Sequence, residues 1–277
     1  MVRFISFGVI YIVIGFFLYT HAVVSILPRD LQEIEQDTLG VYRQDPDCFN
    51  RAKALGAKVV GVPDKGPFFV YWLPQGATRV LLVLHGSEAN AYRTLLQYEK
   101  TAGEFGVGVV ALQWGWERQG GYAYLTNRVT YRMMCLALEY LSKQQGITRD
   151  GNAWLGFSRA ATRCAIFAHL DRQSGNEHFC YLMAISGAVG EEQPDMREML
   201  GGEMGKYPIK DCHFYFWAGE KDGDRVKRMM AAREMVERLG GFVDVTAVGP
   251  EGPGGFNQSR QYQQEAFGLW LERSKKD

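Results

Sequence analysis

The sequence has no excess of charge of either sign. Lysine plus arginine and aspartate plus glutamate both number 31 in a chain of 277 residues, so the formal net charge is zero. A nucleic-acid-binding protein ordinarily carries a basic excess, because contacts with phosphate dominate its affinity. The balance therefore argues against a nucleic-acid partner and favours a neutral or small ligand.

Closely spaced cysteine pairs are also missing. The chain has five cysteines, an odd number, and it has no CxxC pattern. The CxxC spacing is typical of structural metal sites. We therefore expect no metal and no cofactor, and we expect buried thiols. Cys180 and Cys212 begin two segments that are interpreted below as neighbouring strands, so an oxidising compartment could join them by a disulfide.

Histidine is scarce, and its distribution matters for chemistry. The chain has five histidines, and none of them follows Asp222. Imidazole is the side chain most often used as a general base near neutral pH. The five histidines are His21, His85, His169, His178 and His213.

One long apolar run is present, at the N-terminus. Residues 4–27 are nearly free of charge and follow Arg3, which is the layout of an export signal or a membrane anchor. The uninterrupted apolar part, 4–19, is short for a spanning helix of about 20 residues, but the whole run is long enough. We therefore assign 1–27 to a signal peptide or anchor, and both options stay open. Either one predicts a domain that is exported or anchored on the periplasmic or extracellular side of a membrane.

The rest of the chain has the length of one α/β domain. Residues 28–57 are predicted to be a linker or short helix, and residues 58–277 alternate apolar β-rich runs with helical patterns. Such alternation implies a mostly parallel sheet of eight strands with helices on both faces. Only 189–211 leaves room for a cap, so the cap is minimal. The predicted strands are 58–62, 68–73, 79–84, 107–112, 153–155, 181–185, 213–217 and 243–248, and the helices are 92–105, 127–144, 159–170, 225–239 and 259–273.

The most specific motif is Gly-x-Ser-x-Ala at 156–160, between a predicted strand and a predicted helix. This pattern is typical of a nucleophile elbow, a strained turn that projects the serine hydroxyl. Small residues two positions before and after the serine let the strand and helix pass closely. Ser158 is therefore the candidate nucleophile, and the alternative is an ordinary serine at a helix N-terminus.

A second motif, His85-Gly86, ends the predicted strand 79–84. Backbone N–H groups in the turn that follows, those of Ser87 or Glu88, would join the N–H of Arg159 in an oxyanion hole. We expect His85 to brace this turn, and we assign His85 and Gly86 to the pocket.

The predicted strand 213–217 runs into an acidic turn before a helix. A carboxylate at such a strand end is well placed to orient a catalytic base. Asp222 is the candidate acid of a catalytic triad. Asp224 is the alternative, although its position also suits a helix N-cap.

Trp114 and Trp116 follow the predicted strand 107–112. Loops after such strands line the ligand crevice of open α/β sheets, so these residues predict a pocket with an aromatic wall. The alternative is that both rings fill core space.

Taken in order, these motifs resemble the α/β-hydrolase family over residues 58–277. The sequences GFSRAATR and AGEKDGDRV are most similar to those of small-capped carboxylesterases related to polyhydroxybutyrate depolymerases and dienelactone hydrolases. The resemblance implies the α/β-hydrolase fold and hydrolysis of a small ester through Ser158. It also implies a triad in the order serine, aspartate, histidine, with the histidine in the turn between the last strand and the last helix.

No histidine lies in that turn, and Pro253 stands where the resemblance places the base. A serine hydroxyl is a weak nucleophile without a neighbouring base, and removing a triad member costs about a million-fold in a well-studied protease. Glu251 or His85 could substitute. Two functions therefore stay open: an esterase with an impaired or unusual base, and an inactive pseudohydrolase that binds a ligand or protein partner at the membrane.

Overall fold

The computed structural model of the chain describes residues 30–62, 65–87, 89–118 and 121–275. The N-terminal apolar run, on which the signal or anchor prediction depends, and Glu88 of the predicted oxyanion hole lie outside these residues. Within the described part of the chain, no helix combines the length and apolar character needed to cross a membrane.

Nine strands form one sheet and two more form a separate hairpin. In chain order the strands are β1 (Gln32–Ile34), β2 (Lys58–Val62), β3 (Lys65–Trp72), β4 (Val80–Leu84), β5 (Gly108–Leu112), β6 (Gly115–Arg118), β7 (Gly121–Tyr124), β8 (Asn152–Phe157), β9 (Phe179–Ile185), β10 (His213–Gly219) and β11 (Phe242–Gly249). The sheet has the order β1-β2-β3-β5-β4-β8-β9-β10-β11, and β6 pairs with β7. All pairs from β5 to β11 are parallel, whereas β1, β2 and β3 form an antiparallel edge that joins β5.

Helices cover both faces of this sheet. They are α1 (Val41–Gln44), α2 (Pro46–Ala54), α3 (Ala91–Glu104), α4 (Asn127–Gln145), α5 (Cys164–Gln173), α6 (Pro194–Leu200), α7 (Arg225–Arg238), α8 (Gly255–Gln258) and α9 (Arg260–Arg273). The buried residues of α4, α5, α6 and α7 belong to the hydrophobic cluster on one face, and those of α1, α2, α3, α8 and α9 belong to the cluster on the other.

Strand β4 shows why both faces need cover. Its five residues are fully buried. Val80, Leu82 and Leu84 belong to one cluster, and Leu81 and Val83 belong to the other, because successive side chains of a strand point to opposite faces. A solid apolar run is therefore what a central parallel strand requires.

All eight predicted strands are present, and the α/β class and mostly parallel sheet are confirmed. Within the described residues, however, the sheet has nine strands rather than eight. The added strand, β1, pairs antiparallel with β2, with Gln32 opposite Gly61. It comes from 28–57, the segment predicted as a linker or short helix, which also contributes α1 and α2 to the domain. Three residues reading Gln-Glu-Ile are too short and polar to give a strand signal.

No disulfide joins Cys180 to Cys212. Their strands, β9 and β10, are indeed neighbours. However, Cys212 belongs to the cluster on one face of the sheet, and Cys180 packs against the cluster on the other. Because the two cysteines pack on opposite faces of the sheet, the pairing of their strands does not bring the thiols into the geometry of a disulfide.

Asn152, fully buried at the start of β8, ties two strands together. Its Oδ1 accepts the backbone N–H of Val80 at 2.9 Å, and its Nδ2 donates to the carbonyls of Thr148 and Arg149 at 3.0 Å each. Asn152→Ala leaves these buried groups unpaired, so it should lower the free energy of unfolding by about 2 kcal/mol or more. Denaturant unfolding measures this change. The control is Asn50→Ala, exposed on α2, which should stay within about 0.7 kcal/mol of the parent; equal losses at both positions would contradict the assignment.

Candidate functional site

The carboxyl ends of the parallel strands lie side by side at one edge of the sheet. Leu84 of β4 is opposite Gly156 of β8, and Gly219 of β10 is opposite Gly249 of β11. The loops after these strands carry most of the predicted site residues. In open α/β sheets this edge is where ligands bind, so the topology alone gathers the candidates.

Ser158 has the backbone geometry of a nucleophile elbow. Its φ is 52°, in the left-handed region, and its N–H donates to the carbonyl of Ile185 at 2.7 Å. A Cβ on Gly156 would lie 2.7 Å from the carbonyl carbon of Ala160, so only glycine fits beneath the turn. The serine is half-buried. The turn is therefore tight and leaves the hydroxyl partly accessible.

The turn after β4 packs directly against this elbow. A Cβ on Gly86 would lie 2.9 Å from the Phe157 ring and 3.2 Å from the Cβ of Ser158. The Nε of Arg159 donates to Oγ of Ser87 at 3.2 Å. Among the described residues, no hydrogen bond uses the backbone N–H of Ser87 or of Arg159. Neither donor thus has a described acceptor within the protein, and an oxyanion hole requires such unused donors.

His85 is buried next to this turn, and its described hydrogen bonds do not involve the Ser158 hydroxyl. Its Nδ1 is 2.8 Å from the carbonyl of Gly86, and its own carbonyl accepts from Nε1 of Trp114 at 2.9 Å. Burial lowers the pKa of His85 to about 4, against the smaller raising effect of the Gly86 carbonyl. The ring is therefore neutral at pH 7, and its Nδ1 contacts the backbone of the turn itself.

The other described histidines are engaged elsewhere. The Nδ1 atoms of His169 and His178 contact the carbonyls of Pro208 and Arg149. His213 lies at the opposite end of β10 and is 3.2 Å from Asp244. Among the histidines that the structure describes, none forms a hydrogen bond with Ser158.

Asp222 lies in the turn after β10, and Arg225 connects it to Ser158. Nε of Arg225 is 2.9 Å from Oδ1 of Asp222, and Nη1 of Arg225 is 3.4 Å from Oγ of Ser158. Nη1 also donates to the carbonyl of Ser186. The guanidinium thus occupies the space between acid and serine where a triad has its imidazole. Since arginine stays protonated in proteins, it cannot accept the serine proton.

Sequence reasoning missed Arg225, although a signal was present. Arginine at the first position of α7 is three residues after Asp222, a spacing at which side chains on a turn or helix meet. What the sequence does not show is that the side chain also reaches the loops after β8 and β9.

The carboxylate of Asp222 is buried, with its side chain 3% exposed. Burial raises the pKa of Asp222, and the positive charge of Arg225 opposes that effect. Its Oδ2 accepts no hydrogen bond from the described residues. Asp224, the alternative acid, is instead exposed and pairs with Arg228 at 2.7 Å, so only Asp222 is linked to Ser158.

The last turn holds Pro253, at the position where the resemblance places the base, and Glu251, the carboxylate named as its substitute. The carbonyl of Pro253 accepts from the hydroxyl of Ser186 at 2.7 Å, and its ring has no titratable group. The side chain of Glu251 lies near Gly249 together with Trp217 and Tyr262. Its Oε2 is buried without a partner among the described residues, and no described hydrogen bond joins it to Ser158.

A cavity of about 480 Å³ opens beside Ser158, and its lining is polar. Trp114 and Trp116 lie in the core instead, 1% and 7% exposed, and the Trp114 ring is 4.7 Å from that of Tyr124 in the β6–β7 hairpin. The predicted aromatic wall is therefore absent from the described lining, because the hairpin buries these rings. The lining residues are Ser87, Ser158, Arg159, Thr162, Arg163, Gly187, Ala188, Glu192, Gln193, Asp224, Arg225 and Arg228.

Solved structures that resemble this fold include esterases and a dienelactone hydrolase. A Pyrobaculum calidifontis esterase aligns over 93% of this chain and 97% of its own, with a TM-score of 0.56 and 14% identity. A Rhizomucor miehei esterase structure covers 93% and 96%, with a TM-score of 0.58 and 14% identity. A dienelactone hydrolase from Anabaena variabilis covers 76% and 95%, with a TM-score of 0.53 and 15% identity.

No protein-family model matches the chain, and no curated protein sequence matches it. At these identities the structural likeness shows the fold, which is the α/β-hydrolase fold.

The strained backbone of Ser158 can be tested by comparing glycine with alanine. At φ 52° a residue with a Cβ pays about 1–2 kcal/mol that glycine avoids, and the greater freedom of unfolded glycine offsets only part of this. Ser158→Gly should therefore be more stable than Ser158→Ala by about 0.5–1 kcal/mol in denaturant unfolding. At Ser142, inside α4, the order should reverse, with glycine about 1 kcal/mol less stable than alanine. The same order at both positions would contradict the elbow.

The burial of His85 predicts a dependence of stability on pH. The ring has a pKa of about 4 when folded, against 6.5 for an ordinary histidine. Stability from the neutral ring is thus present above pH 6.5 and is lost as pH falls from 6.5 to 4, by about 1.4 kcal/mol per pKa unit. Across that range the parent should lose on the order of 3 kcal/mol more than His85→Gln. Unfolding curves at successive pH values measure the difference; parallel losses would mean that His85 is protonated in the fold.

Proposed function

We propose that the chain is a serine-hydrolase-like protein that binds a small ester-type ligand at Ser158 and turns it over very slowly or not at all. The observation that carries this proposal is the position of Arg225. Its guanidinium contacts both Asp222, at 2.9 Å, and Ser158, at 3.4 Å. A permanent cation there leaves the hydroxyl without a proton acceptor.

Two backbone N–H groups support the binding part of this proposal. The N–H groups of Ser87 and Arg159 have no described acceptor, so they can hold the carbonyl oxygen of an ester. Oxyanion-hole and binding contributions alone can leave about a thousand-fold catalysis over water. Slow residual hydrolysis is therefore compatible with this function, whereas efficient turnover is not.

A second candidate, a working esterase with an unusual base, is favoured by the strain at Ser158. A serine that only caps a helix has no need of a φ of 52°, since capping residues adopt extended backbone angles. The buried, unpartnered Oε2 of Glu251 is the remaining carboxylate in the last turn. For it to act, the Glu251 side chain would have to leave Trp217 and Tyr262 and displace Arg225.

The N-terminal run extends this proposal to location. We propose that 1–27 delivers the domain to the exported side of a membrane, as a cleaved signal or as an anchor. The support is the sequence of that run. The ligand or partner would then be met at or outside the membrane.

Covalent labelling distinguishes the two candidates. Full-length protein in mild detergent is treated with a fluorophosphonate probe and, separately, with p-nitrophenyl acetate. The parent should label and hydrolyse at no more than a few times the rate of Ser158→Ala. Rapid labelling that Ser158→Ala abolishes would overturn the proposal in favour of the esterase.

Two further variants test the cause. Pro253→His alone should gain little, because Arg225 still fills the space between Asp222 and Ser158. The double variant Arg225→Ala with Pro253→His should gain labelling by about a hundred-fold or more, the ordinary contribution of a general base. Asn50→Ala, remote from the site, is the matched control for handling and detergent. If the double variant is folded by circular dichroism but labels no faster than the parent, Arg225 is not the cause of the low reactivity of Ser158.

A further inference from the structure

Two arginines at the cavity beside Ser158 have no ion-pair partner in the part of the chain that the structure describes. Arg159 and Arg163 both line that cavity. Among the described residues, no carboxylate lies within 4.0 Å of either guanidinium. Arg159 is held by Oγ of Ser87 and by the ring of Tyr124, whose centroid is 4.7 Å from its Cζ. Its charge is therefore positioned but not neutralised.

Arg163 is the less solvated of the two. It is half-buried, and its Nε is buried without an acceptor among the described residues. Burial lowers the pKa of Arg163, and Asp195 acts in the opposite sense. Asp195, however, accepts a hydrogen bond from Asn127 and forms no ion pair with Arg163. A partly desolvated cation without a paired carboxylate favours an anion from outside the chain.

The other two arginines of the cavity give the contrast. Arg225 is paired with Asp222, and Arg228 is paired with Asp224 at 2.7 Å. Their charges are already balanced within the protein. The capacity to bind an anion therefore belongs to Arg159 and Arg163.

Local structure places these two charges together. Arg159 lies in the turn after β8, and Arg163 ends the 3-10 segment Ala161–Arg163 that leads into α5. Both residues line the same cavity. The ten-residue helix α5 begins at the next residue, and the positive end of its dipole adds to their field. Ser158 precedes Arg159 directly, so an anion bound here lies close to the hydroxyl.

We propose that the cavity recognises a carboxylate carried by the ester-type ligand, bound by the guanidinium groups of Arg159 and Arg163. This rests on the proposed function, because it identifies the ligand class of the same site. A singly charged carboxylate suits the cavity better than a doubly charged phosphate, since Glu192 and Asp224 also line it and repel additional negative charge. The planar guanidinium also matches the two oxygens of a carboxylate.

Calorimetry with a matched pair of ligands tests this. Monomethyl succinate carries one ester and one carboxylate, and dimethyl succinate carries two esters and no charge. The protein is the full chain with Ser158→Ala, which prevents hydrolysis, so the result does not depend on whether the parent is active. We expect monomethyl succinate to bind at least about tenfold more tightly than dimethyl succinate, as expected for hydrogen bonds to a charged group. Equal affinities would overturn the proposal.

Variants in the same background locate the charge recognition. Arg159→Gln and Arg163→Gln should each weaken monomethyl succinate by about tenfold and leave dimethyl succinate within about twofold. The control is Arg233→Gln, on α7 but outside the cavity, where it pairs with Glu237. If Arg159→Gln and Arg163→Gln weaken binding no more than Arg233→Gln does, the assignment is wrong. Inorganic phosphate should bind at least tenfold more weakly than monomethyl succinate; tighter phosphate binding would refute the carboxylate.

Discussion

The ion pair between Asp222 and Arg225 is the interaction on which the character of this site depends. A buried carboxylate without a counter-charge is costly by several kcal/mol, and the Asp222 side chain is almost fully buried. In a serine hydrolase the imidazole of the triad forms a hydrogen bond with this carboxylate and also transfers protons. Here the guanidinium of Arg225 stabilises the carboxylate and reaches Ser158 but cannot exchange a proton at neutral pH. The ion pair with Arg225 is therefore enough to explain how Asp222 can be buried, without any role in catalysis.

The sequence predicted most of the sheet because the central strands are buried on both faces and so are continuously apolar. Strand β1 escaped prediction, since its three polar residues are held by pairing with β2 and not by a pattern of their own. The tryptophans after β5 are a different case. Their positions suited a pocket wall, but Trp116 lies within β6 and Trp114 packs against Tyr124 of β7, so both rings are buried. A pairing that depends on contacts elsewhere in the fold leaves little trace in the local sequence.

The site was predictable to the extent that its geometry is encoded locally. The turn at Ser158 requires glycine at 156, and that requirement is visible as a motif. The absence of a histidine from the last turn was equally visible. The position of the Arg225 side chain was not, since Arg225 belongs to a helix that packs beside the site, and only the path of its long side chain brings Nη1 to the loops after β8 and β9. A sequence motif therefore predicts a required backbone conformation better than it predicts the position of the end of a flexible side chain.

The absence of a histidine from the last turn and the position of Arg225 can be related physically. Without Arg225, the buried carboxylate of Asp222 would lose its ion-pair partner, and burial would favour its protonated form. Arg225 satisfies Oδ1, whereas Oδ2 has no donor among the described residues. The same guanidinium adds a charge at the cavity, although Asp222 neutralises it. Selectivity for an anion must then come from the unpaired Arg159 and Arg163, which lie on the elbow side of the cavity and not on the acid side. In the proposed function, recognition of the ligand and activation of the serine therefore depend on different residues, Arg159 and Arg163 for the first and the group beside Asp222 for the second.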